Sequence, residues 1–299
     1  MSTVFLFGAG ASYGSDTGGR RPPLGADLFR ELAAFNPPGW GTITGNLAEE
    51  FQRDFEAAFA TVQPHAYGPL LRAMALYFFQ FVPRPTNLYF DLAQRIRRAN
   101  AWSVAVCSLN YERLLELSLS GAGIRPAVGG PSNQASQVEL CLPHGCCHLF
   151  CDSVRAVSGM VSFAGGMVQT NGPIIVIGDP AQHRARIEQD AMPPVMSYFE
   201  TAKRTTSGAS FIDGQRARWH ELAACATVLV IVGVRVREHD NHIWDPISAS
   251  GARVVYCAGA TAALEYEAWA GVNRPGRDDV VLRGYFADEF GTLCAHAGL

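Results

Sequence analysis

The stretch Thr3–Ser12, TVFLFGAGAS, runs four apolar or β-prone residues, Val4 to Phe7, straight into Gly8-Ala9-Gly10-Ala11-Ser12. A strand that ends in small residues is how α/β proteins let a backbone close on a phosphate. Gly8 and Gly10 reach backbone angles that a side chain forbids, and Ala9 and Ala11 keep the approach clear. Ser12 is expected to cap the following helix and to offer a hydroxyl to a phosphate. The same residues also describe a tight strand-to-helix turn with no ligand. The dinucleotide fingerprint G-x-G-x-x-G fails at its last position, Tyr13, and no Gly-Lys-Ser/Thr follows for a Walker loop. The loop needs company to be assigned.

Working outward, short β-branched runs recur between helical patterns: TVFLF, SVAVCSL, QVELCL, PIIVIGD, TVLVIVGV, ARVVYCAG and DDVVLRG. Runs that are apolar throughout, without alternation, predict a parallel sheet covered on both faces. With helices between them the expected fold is α/β, a doubly wound, Rossmann-like parallel sheet. One gap is long. Between the first two strands, residues 24–99 read as helical (GADLFRELAAF, NLAEEFQRDFEAAFATV, GPLLRAMALYFFQFV, LYFDLAQRIRRA), which predicts a helical insertion packed beside the crevice. A loop-rich excursion is expected over about residues 153–210.

The bulk numbers narrow the class. A chain of 299 residues, 48% hydrophobic, is long enough for a large core without staples. A net charge of −3 argues against a nucleic-acid or anionic-membrane partner. The apolar run near TVLVIVGV is far short of the ~20 residues of a membrane helix, and the start lacks a basic region before its apolar stretch. Eight cysteines without framework spacing fit reduced thiols. The expected location is the cytoplasm.

Three further segments accompany the glycine loop. CSLNYERLLE sets Asn110 at the end of the second strand. LCLPHGCCHLF sets His144 beside Gly145 after another strand, and TVLVIVGVRVREHDNHIWDPI ends a strand at Gly233. In an open parallel sheet ligands sit outside the carboxyl ends of the strands, where all four motifs fall. Read singly, Asn110 also suits a helix cap and His144 a satisfied polar residue.

Here the chain resembles the SIR2-like (sirtuin-like) family, and its bacterial SIR2-like branch more than the protein deacetylases. GAGAS matches the first family motif, PPLGADLF looks like the segment that follows it, and SLNYERLLE is similar to Thr-x-Asn-Tyr-Asp-x-Leu-Leu-Glu. LPHGCCHLF stands where Leu-His-Gly-Ser is expected, VLVIVGVRVREHDNHIW resembles the Gly-Tyr-Ser-x-x-x-x-Asp segment, and GYFADEFGTL resembles the closing helix. The resemblance implies one NAD-binding domain over residues 1–299, with NAD as substrate over Gly8, Ala9, Gly10 and Ser12. It implies that Asn110 orders the ribose hydroxyls or the attacking water, that His144 is the general base, and that Glu112, where the family has Asp, lies near the nicotinamide pocket. The chemistry suits those types: an amide donates and accepts at once, and an imidazole near neutrality takes a proton.

The pattern also departs. The serine after the late glycine is missing, with Val234 and Arg235 in its place, so a backbone amide at Gly233 and the charge of Arg235 are the expected phosphate contacts. After the next strand only Cys257 and small residues stand where a ribose contact belongs. No Cys-x-x-Cys pair exists for the zinc module of the deacetylases, and Cys141, Cys146, Cys147 and Cys151 around His144 and His148 lack zinc-site spacing. If one strand ran through them, Cys141, Cys147 and Cys151 would share one face and His144, Cys146 and His148 the other. The HDNHIWD segment (His239, Asp240, His242, Asp245) reads as a capped loop and helix start. No metal is expected.

The resemblance implies an NAD glycohydrolase that releases nicotinamide and ADP-ribose, a bacterial antiviral effector that works with a partner protein or as a homo-oligomer. An NAD-dependent deacylase or ADP-ribosyl transferase, and a non-catalytic NAD or ADP-ribose sensor, stand as alternatives. The helical insertion is expected to serve assembly or as a lid, since nothing catalytic maps to it.

Overall fold

The computed structural model describes residues 2–16, 18–130, 134–152, 169–190, 192–198, 203 and 205–299. In chain order β1 (Thr3–Phe7) leads into the short α1 (Ala9–Gly14), then α2 (Gly25–Phe35), α3 (Gly45–Arg53), α4 (Phe55–Thr61), α5 (Pro64–Phe79) and α6 (Leu88–Arg98). β2 (Ala105–Ser108), α7 (Leu114–Gly121), β3 (Arg125–Val128) and β4 (Gln137–Cys141) follow. Next come β5 (Leu149–Cys151), β6 (Ile174–Val176), α8 (Pro180–Gln189) and α9 (Ala209–Cys225). The chain closes with β7 (Val228–Val232), α10 (Asn241–Ala249), β8 (Arg253–Cys257), α11 (Ala260–Asn273), β9 (Val280–Leu282) and α12 (Phe286–Ala297).

Seven strands form one parallel sheet in the order β3-β4-β2-β1-β7-β8-β9. β1 is central, and alternate side chains go to opposite cores. Phe5 and Phe7 join the helices of the 24–99 region and α12, while Val4 and Leu6 join Trp219, Ile243, Trp244 and Tyr266 of α9, α10 and α11. Both faces are covered, as expected of strands with no polar side. The chain leaves β1 toward β2 on one side and returns to β7 on the other. That makes the carboxyl ends of β1 and β7 the topological switch point.

Two strand expectations change. PIIVIGD yields β6, which pairs antiparallel with β5 in a separate two-stranded sheet. The edge of the main sheet is instead β3, RPAV, half-exposed and carrying a proline; both features hide an edge strand from a hydrophobic-run criterion. In the 24–99 region the run NLAEEFQRDFEAAFATV breaks at Asp54, whose carboxylate caps α4 by accepting from the Glu56 and Ala57 amides. Within the 153–210 excursion, residues 153–168, 191, 199–202 and 204 lie outside the described residues. The rest includes β6 and α8, the latter capped by Asp179. Among the described residues no helix is long and apolar enough to cross a membrane.

Candidate active site

The ends of β1, β7 and β8 are laced together by backbone. The Gly8 amide donates to the Val232 carbonyl, Gly10 to Gly233, and Gly233 to Cys257, at 2.9, 3.1 and 2.9 Å. Gly233 holds φ +64°, and a Cβ there would lie 2.1 Å from the Ala11 nitrogen; one on Gly8 would lie 2.6 Å from the Gly233 oxygen. Only glycine permits two strand ends to come this close. The Gly233 amide, expected for a phosphate, is thus spent on the sheet. The Arg235 guanidinium is likewise engaged, forked onto the Glu265 carboxylate at the rim.

Beside this crossing lies a buried polar knot. The Asn110 amide donates to the Gly8 carbonyl (3.1 Å) and to the Ser12 hydroxyl (2.8 Å). The Ser12 hydroxyl donates to Glu112 and meets the Tyr89 hydroxyl at 2.9 Å. Ser12 therefore does not cap a helix: α1 starts at Ala9 with Gly8 at the cap position, and Ser12 is buried in its middle. Nor is Asn110 a cap. α7 starts at Leu114, whose amide donates to the Glu112 carboxylate. Burial pushes the Glu112 carboxyl upward despite these bonds, and pushes the Tyr89 phenol well above its usual range.

β4 ends at Cys141, and the chain turns at Gly145 (φ +74°), where a Cβ would lie 2.0 Å from the Val195 carbonyl oxygen. No strand runs through the cysteines, so the expected alternation fails. Cys146, Cys147 and His148 bring their ligand atoms within 4.8 Å of one another. Cys146 donates to the Tyr111 carbonyl and its sulfur meets His148 Nδ1 at 3.1 Å, while burial drives its thiol up.

The turn sets His144, 5% exposed, with Nε2 2.8 Å from Nε2 of His242 and its ring stacked near Tyr111. Burial, then the Lys203 cation, hold His144 well below the ordinary imidazole value; burial and Arg216 bring His242 down to about 3. Both rings are neutral near pH 7. Around them Lys203 donates to Glu56 at 2.6 Å and lies 3.9 Å from Asp240, and His239 bonds the other Glu56 oxygen at 2.6 Å. Burial opposes the Glu56 charge, but Lys203 and His239 outweigh it and lower its pKa; at Asp240 burial wins and raises it. His144, Asp240 and His242 also converge within 4.8 Å, with the Lys203 ammonium already supplying positive charge there.

One cavity of about 460 Å³ joins these parts. Its walls include the expected Gly8, Ala9, Gly10, Ser12, Asn110, Glu112, His144, Gly233 and Arg235, together with Cys257 and Ala258. Glu56, Tyr111, Lys203 and Asp240 also line it and were not read from the sequence as site residues. Two corrections follow. The helical insertion, expected beside the crevice but with nothing of the site mapped to it, contributes Glu56 of α4 and Phe78 of α5 to the cavity wall. HDNHIWD is more than a capped helix start, since the Asp240 side chain makes no capping bond to α10 and His239 and His242 turn inward instead.

A doubly wound α/β protein with a ligand-sized cavity at its switch point is the class that fold and site define. No family model and no curated protein matches the chain. Among solved structures it is similar to Sir2 in complex with the inhibitor EX-527, 2'-O-acetyl-ADP-ribose and deacetylated p53 peptide (TM-score 0.45, 14% identity, 99% of this chain and 94% of that one). It is also similar to a sirtuin described in a study of substrate affinity (TM-score 0.42, 14% identity, 85% and 81%). Likeness at that distance says nothing of chemistry, which rests on the residues of the cavity.

Proposed function

We propose that this chain binds NAD across the switch-point crevice and hydrolyses its nicotinamide–ribose bond, yielding nicotinamide and ADP-ribose. The observation that carries the reading is the meeting, on one cavity, of a strand crossing bare of side chains (Gly8, Gly10, Gly233) with a buried amide, Asn110, and a buried neutral imidazole, His144. The volume suits a ligand of this size. The glycine crossing gives the cavity a wall free of side chains against which a pyrophosphate could lie, and Asn110, His144 and Glu112 line the same cavity, where the ribose and nicotinamide would follow.

Cleavage of this bond passes through an oxocarbenium-like sugar and releases a neutral amide, so the leaving group needs no acid. What remains is placement and removal of one proton. With Nδ2 of Asn110 donating to Gly8 and Ser12, its oxygen is the half of the amide that holds a ribose hydroxyl or the water. His144, kept neutral by burial and by Lys203, accepts the proton. The groups beside it are an ammonium, two carboxylates and imidazoles, which favours water over the acyl chain of a deacylase substrate. The resemblance of GAGAS, SLNYERLLE and LPHGCCHLF to SIR2-like motifs supports one domain over residues 1–299 and a cytoplasmic NAD-depleting role in bacterial antiviral defence, gated by a partner or by self-assembly.

The test is nicotinamide release from NAD by the purified chain, without peptide, beside Asn110→Ala and His144→Ala. Release that both substitutions abolish supports hydrolysis. NAD bound but uncut, with turnover only on adding an acylated peptide, favours the deacylase. No NAD binding overturns the reading.

A further inference from the structure

Two neutral imidazole nitrogens 2.8 Å apart hold one proton between them, one ring donating and the other accepting. The Leu109 backbone also engages the His144 ring and favours an N–H there. Since Nε2 of His144 faces His242, that N–H falls on Nδ1, and His242 is left as the donor across the pair. His242 is well placed to be stationary. It stands in the first turn of α10, whose Ile243, Trp244 and Ile247 are buried against the sheet. The titratable groups facing the two rings are Lys203, Arg216, Glu56, Asp240 and His220, and the Lys203 and Arg216 cations keep a second proton off the pair.

We propose that His242 is the positioning residue for His144: its Nε2–H, donated to the Nε2 lone pair of His144, holds that ring in the Nδ1–H tautomer, and the same lone pair passes from His242 to a hydroxyl or water of the bound reactants when the His144 ring tilts toward the cavity. The role rests on the reading of His144 as base. Without His242 the ring of His144 rotates and its tautomers mix, so turnover suffers while the cradle that binds NAD does not change.

The experiment compares wild type, His242→Ala and His242→Gln by steady-state nicotinamide release and by long-range ¹H–¹⁵N spectra of histidine-labelled protein. Glutamine returns an N–H donor at nearly the same reach. Expected are a kcat about tenfold lower in the alanine variant with KM within about twofold, and recovery to within about threefold in the glutamine variant. In the spectra Nε2 of His144 carries no proton in the wild type and becomes partly protonated in His242→Ala. Equal loss in both variants, a KM effect alone, or a proton on Nε2 of His144 in the wild type overturns the proposal. If the wild type releases no nicotinamide, the glycohydrolase reading fails and the spectra alone decide whether His242 sets the tautomer.

Discussion

Asn110, at the end of β2, donates its side-chain amide to the Gly8 carbonyl at the end of β1, 3.1 Å away and 102 residues earlier in the chain. One side chain thus ties the glycine crossing to the polar groups of the cavity. Asn110→Ala leaves the Gly8 carbonyl and the Ser12 hydroxyl short of a buried donor, at about 1–3 kcal/mol of stability. Asn110→Asp sets a carboxylate against that carbonyl and beside Glu112, and costs more. Both are expected to lower nicotinamide release at least ~100-fold; denaturant melts and the release assay check the two effects separately.

Gly233→Ala tests the crossing. A methyl group 2.1 Å from the Ala11 nitrogen, on a residue at φ +64°, cannot be accommodated without parting β1 from β7. A loss of about 3 kcal/mol or more is expected, with NAD binding lost in whatever fraction stays folded. A thermal melt within 2 °C of wild type (about 1 kcal/mol) would contradict the backbone argument.

Lys203 is 5% exposed in its side chain and serves Glu56 and Asp240 together. Lys203→Met takes away the ammonium that Glu56 and Asp240 share, for a loss of about 2–4 kcal/mol. It also removes a positive charge that disfavours the His144 imidazolium. The folded-state pKa of His144 then rises, the neutral base is lost at a higher pH, and the acid limb of the kcat/KM profile moves upward. A limb that moves down or stays put contradicts the assignment of Lys203.

Glu116 is buried, and burial followed by the nearby Glu112 raises its pKa to about 8. Between the ordinary glutamate value of 4.5 and about 8 the folded chain keeps a proton that the unfolded chain gives up. Stability therefore falls as pH rises through that window. Glu116→Gln removes the slope: Tm should gain about 5 °C at pH 8 and under about 1 °C at pH 5.

Arg235 stands where a phosphate contact was expected, but its guanidinium is committed to Glu265. Arg235→Ala should change the KM for NAD by less than about threefold. A tenfold rise would mean that the ion pair opens when the ligand binds.

The sheet was largely legible because β1, β2, β4, β7 and β8 are buried on both faces and so read as apolar runs, and the half-buried edge strand β9 (VVL) is apolar as well. β3 escaped because an exposed edge with a proline carries no such signal. Asn110 and His144 were legible because each sits where a strand ends and resembles a family motif. Lys203, Glu56 and Asp240 were not: a lysine, two acids and a helix start look like solvated surface in any linear reading. His242 was visible only as one polar residue of a loop.

The order of apolar runs and small-residue turns in the sequence determined the parallel sheet and the strand ends at which a ligand can sit, since burial on both faces and freedom from a Cβ are properties of residue type. Tertiary structure alone decided which charged groups meet. Glu56 reaches Lys203 across 147 positions and His239 across 183, and His144 reaches His242 across 98. Pairing at such separations depends on how α4, α10 and the segment near Lys203 pack around the crevice. That packing is set by the whole core, and no local pattern encodes it.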